Sequence, residues 1–155
     1  FNRNLNHKLN PFTMKITIST NEVLERLYAI SALHGYVNDT GGGDTTNILS
    51  PAQAPALRVI VRSAFSAAMS YLAFSGWKPD AAGGELCALA PDTLPVDADG
   101  TKAAVTDAVT LLTLHIVYSA AADGRADRAH SQALVALRHL ESGLWHPARL
   151  TMYRA

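Results

Sequence analysis

Along most of this chain apolar positions recur at the three- and four-residue spacing of an amphipathic helix. The first such run begins after Ser19-Thr20-Asn21-Glu22. That tetrapeptide has the form of a capping box, in which the serine oxygen takes the amide three residues on and the glutamate reaches back to the cap. The helix it opens, over 21–33, carries Val23, Leu24, Leu27, Ile30 and Leu33 on one stripe, with Glu22, Glu25 and Arg26 outside and Gly35 or Asn38 to end it. Ser50-Pro51-Ala52-Gln53 repeats the start signal. Pro55 complicates it, because a proline ring clashes with a preceding helical turn; the helix either bends there or begins there. From 56 to 74 the stripe Leu57, Val61, Ala64, Ala68 and Leu72 is widened by Ile60, Phe65 and Met69, and Gly76 and Pro79 lie beyond its end. A third helix over 99–122 follows Asp99-Gly100-Thr101 and is apolar on nearly every side, which places it at the centre. The fourth, over 127–143, is amphipathic through Ala129, Ala133, Leu137 and Leu140, with Arg128 and Arg138 toward solvent.

The intervening segments lack that period. Residues 38–47 read as a Gly/Asp/Thr loop, and 79–100 as a long irregular loop holding a short extended piece at 85–89. Ile16-Thr17-Ile18-Ser19 alternates in the manner of a short strand. Residues 1–13 are rich in asparagine, with isolated apolar positions, and read as a polar, disordered extension before a single helical domain over 14–155. The fold class is all-α: a small bundle of about four helices with its long loop between the second and third.

Composition narrows the function classes. A chain of 155 residues with 48% hydrophobic and 17% charged residues has too much apolar material for a disordered one. A net charge of +0 argues against a nucleic-acid partner, whose binding rests on phosphate neutralisation. The single cysteine, Cys87, excludes an internal disulfide framework and a cysteine-rich zinc site. Uninterrupted apolar runs fall short of the ~20 residues of a membrane span, so no membrane partner is expected.

Motifs for chemistry are incomplete. Asp39-Thr40-Gly41 has the short aspartic-protease form but follows a helix instead of a strand, and Gly41-Gly42-Gly43 lacks the Lys-Ser/Thr of a phosphate loop. Setting Gly100 at the sixth position of a calcium loop puts Pro95 and Thr106 where carboxylates belong. His130, His139 and His146 have no ligand spacing, His115 reads as a hydrogen-bonded core histidine, and Cys87 as a small buried hydrophobe. No catalytic, cofactor-binding or metal residue is assigned, and no cofactor is expected.

Charge is nevertheless unevenly spread. Between Asp39 and Asp123 nine acidic residues face only Arg58, Arg62, Lys78 and Lys102, whereas five arginines against Asp127 and Glu141 follow from Arg125 onward. Solvated scatter accounts for that pattern, and so does a subunit interface. In the second reading Arg125, Arg128 and Arg138 of one copy meet Asp92, Asp97 and Asp99 of the next, a heterologous contact that closes into a ring where the rotation permits.

The layout also resembles the small helical head–tail connector (neck or completion) proteins of tailed phages, of the Bacteroidetes phage or prophage type. A short N-terminal helix over 21–33 precedes the long helix Ala56-Leu-Arg-Val-Ile-Val-Arg-Ser-Ala-Phe-Ser-Ala-Ala-Met-Ser-Tyr-Leu. The extended loop Leu86-Cys-Ala-Leu-Ala-Pro-Asp, the helix Ala108-Val-Thr-Leu-Leu-Thr-Leu-His-Ile-Val-Tyr-Ser-Ala and a closing helix complete it. The resemblance implies a non-catalytic virion protein that assembles in the host cytoplasm as a homo-oligomeric ring between portal and tail, docking on other virion proteins. Two other readings stay open: a bacterial cytoplasmic helical adaptor or regulatory interaction module, and an enzyme acting through His34 and the Asp39–Asp44 loop.

Overall fold

The first three helices start where a side chain or a proline accommodates the orphan amides of the first turn. The structure, a computed structural model, describes residues 13–37, 48–91 and 97–141. The Glu22 amide donates to Ser19 Oγ (3.3 Å) at the start of α1, Thr20–Val37, which gives one half of the expected capping box. A 3-10 turn over Pro51–Gln53 leads into α2, Ala54–Leu72. Pro55 falls in its first turn, where no intrahelical amide is lost, so the helix absorbs it at its start. The end of α2 tightens into a second 3-10 turn, Ala73–Ser75, closed by Gly76 in the left-handed region at φ +92°. In α3, Ala98–Ala120, the Asp97 carboxylate caps by accepting from the Gly100 amide (2.8 Å). A short turn then reverses the chain into α4, Ala126–Arg138.

The central position expected of the third helix is found: α3 packs against α1, α2 and α4. Its polar content is handled internally. Thr106, Thr110 and Thr113 are buried, and each hydroxyl donates to the carbonyl four residues back (2.8 Å). The predicted stripe of α2 (Leu57, Val61, Ala64, Ala68, Leu72) is buried throughout, as are Ala129, Ala133, Leu137 and Leu140 from the fourth helix. Trp77 fixes the end of α4, donating its indole N–H to the Leu140 carbonyl (2.9 Å).

The molecule is mostly helical, with four α-helices among the described residues, but it is not all-α. Three strands, β1 (Thr13–Thr17), β2 (Lys78–Pro79) and β3 (Cys87–Pro91), form an antiparallel sheet in the order β1-β3-β2. The register runs from Thr13 opposite Pro91 to Thr17 opposite Cys87, and Pro79 sits on an edge strand opposite Ala88, where proline is tolerated. Pairing is continued by the Ile18 amide on the Leu86 carbonyl (2.9 Å). β1 packs on α3 with Ile16 buried, and Ile18 just past its end is buried too, so the alternation at 16–19 overlaps a true strand that starts earlier and stops at Thr17. Of the loop expected over 79–100, residues 79–91 are therefore sheet and turn. A Cβ on Gly83, in the turn before β3, would fall 2.6 Å from both Cys87 Sγ and Lys15 Cε, so the sheet closes over a glycine there.

Other boundaries shift too. Thr13 belongs to β1, so any extension is residues 1–12, which lie outside the described residues, as do the 38–47 loop and Asp92. The first helix runs four residues beyond Leu33, and the fourth stops at Arg138 instead of Gly143. The segments Pro51–Ser75 and Ala98–Ala120 are long and apolar enough by composition to cross a bilayer; here they contain the two helices that carry most of the helical core.

Candidate interaction surface

Three helices leave a groove between them. Ala29 and Ile30 of α1, Thr110 and Leu111 of α3, and Val135 and Ala136 of α4 line a concavity of about 530 Å³. Leu111 is there because α3 is apolar on more faces than its neighbours cover. Ile30 and Leu33 continue the α1 stripe away from the core: Ile30 is half-buried and packs against its edge, and Leu33 is 60% exposed. Val135 is 50% exposed. An ion pair between Arg26 and Asp107 marks one rim, with Glu22 3.6 Å from the same guanidinium, and Gln132 and His139 add polar edges. A second apolar feature lies outside these walls: Phe74, in the 3-10 turn after α2, is 95% exposed.

The residues expected to carry charge across an interface are dispersed. Asp97 is held by its capping role at the start of α3, and Asp99 stands exposed in the first turn. Arg125 is at the other end of α3, where Nε lies 3.0 and 3.1 Å from the two Asp123 carboxylate oxygens. Its guanidinium also lies over the Tyr118 ring, 4.7 Å from the centroid. Arg128 is exposed on α4; Arg138, in its last turn, is exposed, and its charge opposes the rise of the Tyr71 phenol. Arg125 and Arg138 are thus about 20 Å apart at 1.5 Å per helical residue. The three arginines bracket α4 instead of forming one patch.

Burial and charge also set two phenols apart. Tyr71 is pushed above the ordinary tyrosine range by burial, then by the Glu141 carboxylate that its hydroxyl donates to (3.2 Å). Tyr118 is raised by burial, against the opposing pull of Arg125.

Histidines that the sequence kept apart come together. His115 of α3 and His130 of α4 stack at an angle, ring centroids 4.7 Å apart and planes tilted 40°. His115 Nδ1 lies 3.0 Å from the Ala126 carbonyl oxygen, the hydrogen bond expected of a core histidine. The pairing had a signal in the sequence: the two residues are equidistant from the reversal at Ala122–Asp123, and an antiparallel helical hairpin sets such positions opposite each other. Among the described residues no three His, Cys, Asp or Glu side chains converge on a metal position. Cys87 is buried as expected, with its thiol accepting from Thr17 Oγ1 (3.4 Å). His34 and the Asp39–Asp44 loop lie outside the residues whose side chains are described.

No protein family model, no curated protein and no solved structure matches this chain.

Proposed function

We propose that this chain is a non-catalytic structural subunit that docks on copies of itself, in the manner of the head–tail connector rings its layout resembles. The observation that carries the reading is the presence, on one chain, of an apolar groove and an apolar knob at separate places on the surface. Phe74 stands almost wholly in solvent, and the α1–α3–α4 groove has the volume to take an aromatic ring. A knob of one copy in the groove of the next is a heterologous contact, which closes into a ring where the rotation permits and otherwise grows as an open filament. Exposed Asp99, Arg128 and Arg138, dispersed around these features, act on association rate.

The occupant of the groove is thus a second copy of this chain. Native mass spectrometry of the full chain over a range of concentrations tests it: oligomers that grow with concentration and dissociate more readily as salt rises are expected. A chain that stays monomeric at every concentration contradicts it. The connector assignment is separable, because it also requires the gene to lie among capsid and tail genes; a self-associating chain encoded elsewhere supports the adaptor reading instead.

A further inference from the structure

We propose that His115 and His130 form a two-histidine site for a divalent transition-metal ion, bridging α3 and α4. The first argument is the tautomer. A carbonyl oxygen only accepts, so the 3.0 Å contact with Ala126 puts the proton of His115 on Nδ1 and leaves Nε2 with its lone pair free. A ring nitrogen donating to a backbone carbonyl is the arrangement that fixes a metal-binding imidazole and raises the basicity of its other nitrogen.

The second argument is distance. With a metal–nitrogen bond of about 2.0–2.1 Å, a ring centroid lies about 3.2 Å from the ion, and two imidazoles on adjacent coordination positions have centroids about 4.5–5.3 Å apart. The observed 4.7 Å falls in that range. A third consideration is access: His115 is half-buried and His130 exposed, so an ion reaches the pair from solvent, and water completes its coordination. Imidazole ligands select zinc, nickel and copper over the hard cations magnesium and calcium. Bound there, the ion ties the two helices of the hairpin together across their turn.

Titration of the full-length chain with zinc chloride and nickel chloride, followed by calorimetry and by melting temperature, tests the site. The expected result is one saturable ion per chain, a melting temperature that rises with metal because the ion binds the folded hairpin, and no response to magnesium chloride. Binding should weaken as pH falls, because protons compete with the ion for the imidazole nitrogens. His130→Ala, at an exposed position, and His115→Asn, which keeps a donor for the Ala126 carbonyl, should each lower the affinity by about tenfold or more, while His139→Ala leaves it unchanged. Absence of saturable binding in the wild-type chain, or binding that survives either substitution of the pair, overturns the proposal.

Discussion

At the scale of single residues, burial on α3 is reconciled with polar side chains by local bonding. Each buried threonine satisfies its hydroxyl on the preceding turn, so the helix presents methyl groups to its neighbours and keeps its hydrogen bonds to itself. Leu112 lies in that packing at 7% exposure. Leu112→Ala is expected to cost about 2–5 kcal/mol in chemical denaturation, from lost transfer energy and a residual cavity; a loss under about 1 kcal/mol would place Leu112 outside the core. The phenols give a pH signature. Tyr71 and Tyr118 hold their protons more tightly in the folded chain than in the unfolded one, where tyrosine titrates near 10. The stability this contributes is fully present below about pH 10 and is lost as pH rises through the folded values, because the unfolded state ionises first. Ultraviolet titration should therefore show a fraction of tyrosine ionising late, and Tyr71→Phe should shrink that fraction.

Among the elements, helices were far easier to read than strands. The stripe Leu57, Val61, Ala64, Ala68, Leu72 repeats within a single segment, so its period is visible without any knowledge of partners. β3 carries Cys87, Ala88 and Ala90 on a doubly covered strand, and these small residues have neither the branched side chains nor the alternation that mark a strand. Its pairing partner in β1 is more than 70 residues away, information that no local window contains. Leu33 fails in the opposite sense, since its period matches the core stripe yet it is 60% exposed. The turn and cap at 97–100 were legible, but a helix start at Asp99, one residue late, left open which of the two aspartates caps it. The two aspartates now separate cleanly. Asp97→Ala should cost about 0.5–2 kcal/mol through the lost cap, measured by thermal or denaturant unfolding. Asp99→Ala, which removes only a favourable charge in the first turn, should cost less. Equal losses would show that the Gly100 bond does not stabilise the helix.

For the molecule as a whole, the sequence located charge asymmetry along the chain, but folding redistributed it. The arginines that are clustered in sequence end up spread along α4, because a helix of that length carries its ends about 20 Å apart. What emerges in their place are two separate apolar features, Phe74 and the α1–α3–α4 groove, the latter legible only once three helices from distant segments are assembled. In the proposed assembly, exposed charges tune how fast copies meet, while the apolar contact sets how tightly they hold. Cysteine cross-linking between two differently labelled chains that keep Phe74 tests this most directly, one carrying Ala73→Cys beside the knob and the other Gln132→Cys on the groove edge, with the native Cys87 buried and out of reach. Mild oxidation of the mixture is predicted to give a disulfide-linked heterodimer far in excess of either homodimer. Heterodimer no more abundant than random collision produces, with both chains folded, would contradict docking of the knob in the groove.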